Sequence, residues 1–186
     1  MGPFLHDAPR ARITAENPAG TDGFEFVEFA HPDPDAAREL FQRMGFALTA
    51  RHRTRAIELW PQGGITYVLT HEPGSHATDF VEEHGPCAPA MAWGVVDAQH
   101  AFDHALRNGA TPFKGAKTVD WPAIVGIGGS LIYFTDQLPP DPVLRHRGQV
   151  FRPVQPRADL ALRPHPHPDQ RGPGRDRADR PIPQAL

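Results

Sequence analysis

The chain has 186 residues, with 19 basic and 22 acidic side chains and a formal net charge of −3. That length fits one domain, or one domain with a tail, and the near-neutral balance excludes a nucleic-acid binder held by an overall basic excess. The single cysteine, Cys87, excludes an internal disulfide framework and any CxxC zinc knuckle, and suits a reducing compartment.

Residues 1–16 (MGPFLHDAPRARITAE) contain no apolar stretch of the signal-peptide kind and read as a flexible N-terminal segment. No run in the chain approaches the roughly 18 apolar residues of a membrane span, so a cytoplasmic, membrane-free protein is expected. The folded domain is expected over 17–136. Phe24–His31 is aromatic and β-branched, as a strand requires. Asp33-Pro34 then opens a helix, an N-cap acceptor followed by a proline at the first helical position. Ala37, Leu40, Phe41 and Met44 supply its apolar face, and Gly45 ends it. Strands are predicted at 46–53, 56–60 and 65–71, the last two joined by Pro61-Gln62-Gly63-Gly64. A short helical link follows over 75–84.

The pattern then restarts. Ala90–Val96 reads as a strand and Asp97 as an N-cap. Ala101, Phe102, Ala105 and Leu106 form a second apolar helix face, closed by Gly109. Strands are predicted at 111–117, 123–127 and 131–136. Both halves, about 24–72 and 90–136, therefore read βαβββ. An internal repeat of this size outweighs any short motif in assigning the fold. The implied architecture is α+β: two βαβββ modules forming a curved eight-stranded mixed sheet, helices outside, with a ligand expected on the concave side. This arrangement resembles the vicinal-oxygen-chelate fold of glyoxalases, bleomycin-resistance proteins and extradiol-type dioxygenases.

Past Asp136 the composition changes. The chain's 22 prolines, about 12% against a usual 5%, split evenly between residues 1–136 and the last 50. Residues 1–136 carry a charge of −7 and residues 137–186 carry +4, from nine arginines, no lysine and five aspartates. The tail holds only ten Leu, Ile, Val or Phe, without a period of 2 or 3.6, too little apolar surface to offset its ordering entropy. It reads as a Pro/Arg-rich disordered tail.

Candidate chemistry is sparse. Gly126-Ile127-Gly128-Gly129 lacks the ending of a phosphate loop and joins two strands, so it reads as a hairpin turn. His100 and His104 have the i, i+4 spacing of metal ligands, but share a helix face with Asp103 and Arg107, opposite the apolar one. His165 and His167 lie in the tail; His31, His71, His76 and His84 form no ligand spacing. Cys87 reads as a small buried thiol. Glu25 and Glu28 interrupt the first strand and point to opposite faces. Ala90–Val96 has no His, Asp or Glu, and Tyr133 is the only candidate ligand in Leu131–Thr135, short of the roughly three that a catalytic metal needs. No catalytic, cofactor or metal site is assigned. Glu25, Trp93 and Tyr133 are the candidates for the concave face, and in a scaffold module that face is expected to be blocked by side chains such as Phe26, Trp93 and Tyr133.

Glu16-Asn17-Pro18-Ala19-Gly20 followed by Gly23–Ala30, Glu83-His84-Gly85-Pro86 leading into Met91-Ala92-Trp93, and above all Pro122–Tyr133 (PAIVGIGGSLIY), in this order and separation, resemble the N-terminal half of 4-hydroxyphenylpyruvate dioxygenases. The resemblance covers about residues 16–136. It implies an Fe(II)-dependent oxidation of a 2-oxo acid by O2 to homogentisate and CO2, in tyrosine catabolism. Hydroxymandelate synthase is a relative with the same iron site. The resemblance further implies that two histidines and a glutamate of a second domain hold the iron. None of these three can be placed on this sequence. The chain is therefore expected to be a truncated N-terminal domain, without cofactor and inactive alone, with Glu25 at most a remnant of an ancestral ligand position. Its expected partners are a second copy or a separate C-terminal domain. The alternative is a metal-independent small-molecule binder of the bleomycin-resistance type.

A GC-rich coding sequence read out of frame gives such a Pro/Arg/His-rich tail. Translating the other two frames downstream of codon 136 is expected to reveal second-domain sequence with two histidines and a glutamate. Frames without it dispose of the frameshift.

Overall fold

In the computed structural model, which describes residues 11–136 and 151–154, the aromatic-rich run becomes strand β1 (Thr21–Ala30). Helix α1 (Pro34–Arg43) follows, with the Asp33 carboxylate accepting from the backbone N–H of Asp35 and Ala36 at 3.0 and 3.3 Å. Gly45 turns the chain at φ +90°, a conformation in which only glycine is unstrained. Strands β2 (Ala50–His52), β3 (Ile57–Gln62) and β4 (Ile65–Thr70) complete the first module. Helix α2 (His76–His84) is closed at its start by a reciprocal box between Ser75 and Thr78. The second module contains β5 (Cys87–Val95), α3 (Ala98–Arg107) capped by Asp97, β6 (Ala123–Val125) and β7 (Leu131–Thr135). A last strand, β8 (Phe151–Pro153), pairs with β2.

All eight strands lie in one mixed sheet in the order β6-β7-β5-β1-β4-β3-β2-β8. The α+β class and the central pairing of the two modules follow the sequence reading. β1 runs antiparallel to β5, and within each module the first and last strands are parallel, β1 with β4 and β5 with β7. The two modules differ in one respect. Where the sequence predicts a strand at 111–117, the chain makes a single bridge, Pro112 to Ile124, and otherwise runs as a loop. The eighth strand comes instead from Phe151–Pro153, inside the segment read as a disordered tail. Residues 1–10, 137–150 and 155–186, with His165 and His167, lie outside the described residues. Residues 11–16, read as part of a flexible segment, are tied down by the Ala11 N–H donating to Asp22 at 2.7 Å. Among the described residues no helix is long and apolar enough to cross a membrane.

The sheet packs on both faces. On the outer face α1 buries Ala37 and Phe41 against Phe46, Trp60 and Leu69, while α3 buries Ala98 and Ala101 against Val95 and Phe134. Leu40 and Met44, expected in the core, are exposed, because the buried stripe of α1 is only as wide as the positions of Ala37 and Phe41. Beneath α1 lies a buried ion pair. Glu58 takes Arg38 Nε at 3.0 Å and Nη2 at 2.9 Å, Arg51 Nε at 3.0 Å and the Trp60 indole N–H at 3.1 Å. Burial pushes the Glu58 carboxyl up, but the hydrogen bonds and charges of Arg38 and Arg51 outweigh it and hold it below its ordinary value.

Removing Arg38 leaves the Glu58 carboxylate, 3% exposed, with only the half-exposed Arg51 to match its charge. Arg38→Ala is expected to lower the unfolding free energy by about 3 kcal/mol in urea denaturation. A loss below about 1 kcal/mol marks the pair as no more than a surface contact.

Candidate functional site

The inner face, opposite α1 and α3, is the place for a ligand in a sheet of this kind. Alternation along β1 turns Phe26 and Glu28 toward it. β3 contributes Ile57 and Leu59, β4 Val68, β5 Ala90 and Ala92, and β7 Leu131 and Tyr133. Over this surface lies the loop 111–122. Its Val119 and Trp121 are buried in the same cluster, with Phe113 packed against it. The Trp121 ring lies 5.8 Å from Phe26, and Tyr133 lies 6.2 Å from Phe26 on the other side. Phe26, Trp121 and Tyr133 are 0, 5 and 1% exposed, so protein side chains fill the face.

The candidate residues separate. Tyr133 is on the inner face, as expected; burial and then the charge of Glu28 push its phenol well above the ordinary value. Trp93 is not. It pairs in register with Phe134 on the side that carries α3, and meets Phe24 edge-to-face at 5.7 Å. Glu25 also has to be corrected. The β1–β5 register slips between Phe24 and Phe26, which face Trp93 and Ala92, so Glu25 falls at a bulge. It is half-buried, outside the inner cluster, with its carboxyl raised by that burial.

Glu28 is the inward carboxylate, 1% exposed. It accepts a hydrogen bond from the Thr118 hydroxyl, which lies 3.4 Å from that of Thr70. Burial drives its carboxyl up to about 7, against the hydrogen bonds of Thr118 and Thr70 and the charge of Arg55, which pull it down. Arg55 donates to the carbonyls of Thr118 at 2.6 Å and Lys117 at 3.0 Å, and its Nε lies 3.5 Å from Glu72. Sequence reasoning missed this group because Thr118 is 90 positions from Glu28.

Among the described residues, the histidines singled out in the sequence make polar contacts. His100 Nε2 donates to the Pro18 carbonyl at 2.9 Å, and His104 Nε2 accepts from the Asn108 amide at 3.2 Å. His76 and His84 donate to the carbonyls of Gly129 and Phe80. His31 Nδ1 accepts from the Asp33 N–H, and His71 Nε2 lies 3.5 Å from Arg38. Gly126–Gly129 is the turn between β6 and β7, with Gly126 N–H donating to Ser130 at 2.7 Å. Cys87 is a free thiol packed against Ala30, Ala77 and Val81, and burial raises it.

An Fe(II) centre with open positions needs about three imidazole and carboxylate donors on one face. The inner face offers Glu28, already taken by Thr118, and a buried phenol, with Ala90, Ala92 and Leu131 at the neighbouring positions. That donor set does not fit the metal.

Comparison with known proteins accords with this architecture. The family described as "Hydroxyphenylpyruvate dioxygenase, HPPD, N-terminal" matches residues 15–144, eight residues past Asp136, the end of the resemblance in the sequence. A 4-hydroxyphenylpyruvate dioxygenase of Pseudomonas sp. (strain P.J. 874) is 43% identical over 125 residues, covering 66% of this chain and 35% of that protein. Hemolysin VllY of Vibrio vulnificus is 44% identical over 131 residues, 67% of this chain and 37% of that one. The chain thus spans little more than a third of these relatives. Among solved structures, a xylose isomerase-like TIM barrel/4-hydroxyphenylpyruvate dioxygenase fusion protein superposes with a TM-score of 0.58 at 35% identity, over 69% of this chain and 20% of that one.

The buried carboxyl has a thermodynamic consequence. Glu28 moves from 4.5 in an exposed chain to about 7 when folded, so between these values the folded state binds the proton more tightly. Stability therefore falls as pH rises through that window, by about 3 kcal/mol in all, and levels off above it. Urea unfolding at pH 5 and pH 8 is expected to show the fall in the wild type and its loss in Glu28→Gln. Equal slopes in the two proteins rule it out.

Proposed function

The chain belongs to the hydroxyphenylpyruvate dioxygenase N-terminal family, and from that premise we propose that it is the metal-free scaffold module of an enzyme of this type. The reaction it serves is the oxidation of 4-hydroxyphenylpyruvate by O2 to homogentisate and CO2. The iron that supplies the oxygen chemistry belongs to a second domain. This chain contributes a packed module against which that domain is held, in the same subunit or as a separate chain. Alone it turns over no substrate.

The observation that carries this reading is the filled inner face: Phe26, Trp121 and Tyr133 occupy the volume a substrate would need, and Thr118 takes the one inward carboxylate. The same packing disfavours the bleomycin-resistance-type binder, which needs that volume for its ligand.

Oxygen uptake decides the matter. The purified chain, supplied with Fe(II), ascorbate and 4-hydroxyphenylpyruvate, is expected to consume no O2 above a protein-free control. Homogentisate formed by this chain alone overturns the scaffold assignment.

A further inference from the structure

The loop 111–122 is attached to the inner face in a way a simple connection does not require. Its apolar side chains Val119 and Trp121 plug the cluster around Phe26 and Tyr133. Its backbone is clasped from outside: Arg55 holds the carbonyls of Lys117 and Thr118, and the His76 N–H donates to Ala116 at 3.0 Å. Its ends are tied by Phe113 N–H to Ala123 at 2.9 Å and Val125 N–H to Thr111 at 2.8 Å. Gly115 permits the bend, since a Cβ there would meet the Phe113 ring at 2.6 Å. Between plug and clasp sits one ionisable contact, Thr118 on Glu28.

We propose that residues 111–122 form a proton-linked strap over the inner face, latched while Glu28 holds its proton and loosened when Glu28 ionises. The argument is one of solvation. With the strap down, Glu28 is enclosed: its cross-strand neighbours are Val68 on β4 and Ala90 on β5, and Thr118 and Thr70 supply neutral hydroxyls. The facing titratable groups are Tyr133 on β7, whose phenol stays neutral, and Arg55 on the β2–β3 loop. Arg55 is shared with Glu72 and the strap carbonyls, so its charge only partly compensates an ionised Glu28. His52, next to Arg55 and Glu72, is lowered by burial and then by the charge of Arg55, against the charge of Glu72. An ionised Glu28 is therefore under-solvated in the closed form. Lifting the strap admits water and restores its ordinary acidity. The strap, not the whole fold, is what yields, because it is joined to the sheet by these few contacts while β1 is paired on both edges. This device is independent of the scaffold reading, since it concerns residues within this chain alone.

The chain contains two lysines, Lys114 and Lys117, and both lie in the strap. A lysine-specific protease therefore cuts only within the strap, and far-UV circular dichroism at each pH confirms that the fold is intact while it is cut. The initial cleavage rate of the full chain is divided by that of a free peptide of residues 111–122, which removes the protease's own pH dependence. With a carboxyl near 7 closed and 4.5 open, this ratio is expected to rise about tenfold from pH 6 to pH 8. In Glu28→Gln it is expected to stay flat. A flat wild-type ratio, or an equal rise in Glu28→Gln, overturns the proposal. Should that variant not fold, hydrogen exchange at the His76 amide of the wild type, whose acceptor is the strap carbonyl of Ala116, decides after correction for intrinsic exchange: protection must fall by the same factor over the same range, and constant protection refutes the strap.

Discussion

A sheet whose central strands are apolar on both sides has to be covered twice, and most of this molecule follows from how that is done. β1 and β5, paired at the centre, send Phe29 and Val95 to one side and Phe26 and Ala92 to the other. Two amphipathic helices cover the first side, as the sequence repeat implies. The second side has no helix lying across its middle. In an enzyme or carrier of this architecture that vacancy is the pocket. Here the chain spends its own residues on it, and Trp121, Val119 and Phe113 arrive from a loop that would otherwise have been a strand. Side chains thereby occupy the volume on which a ligand was expected.

The cost of that solution is visible in the second module. Its counterpart in the first module uses the same stretch of chain to form β2, which pairs with β3 and extends the sheet to β8. The second module stops at β6, a three-residue edge strand held by β7 and one bridge from Pro112. A short edge strand resists pairing with other chains. Sheet breadth has been exchanged for coverage of the inner face, and the two modules stop being copies at this stretch.

The local rules were legible. Asp33-Pro34 and Asp97 cap their helices, and Gly45 and Gly109 follow them with positive φ, because a cap is decided by residues within one turn of it. Long-range relations were not. Thr111–Lys117 reads as a strand by its place in the repeat, yet only Thr111 and Phe113 in it favour β structure, and Pro112, Gly115 and the burial of Val119 and Trp121 against Phe26 make it a loop. Alternation puts Glu25 and Glu28 on opposite faces, but Glu25 falls in a register slip between β1 and β5 that leaves no mark in the sequence of β1, and Glu28 is the carboxylate that meets Thr118. Likewise His100 reads from the sequence as part of a solvated helix face; its acceptor, the Pro18 carbonyl, lies 82 positions away.

The two buried carboxylates show what these placements mean chemically. Glu58 and Glu28 are almost equally hidden, on opposite faces of one sheet. Glu58 meets two guanidinium groups and an indole, so its charge is matched and its carboxyl sits below the ordinary value. Its hydrogen bonds to Arg38 tie α1 to β3. Glu28 meets two hydroxyls, with one guanidinium nearby whose hydrogen bonds go to strap carbonyls and whose other charged neighbour is Glu72, so desolvation prevails and its carboxyl rises to about 7. Burial alone therefore does not decide the behaviour of an acid; the number of donors that follow it inside does. On the helix face the sequence supplied those donors from within 20 residues, Arg38 and Arg51, and obtained a rigid joint. On the inner face it supplied them from a loop 90 residues away, which ties the ionisation of Glu28 to whether that loop is in place.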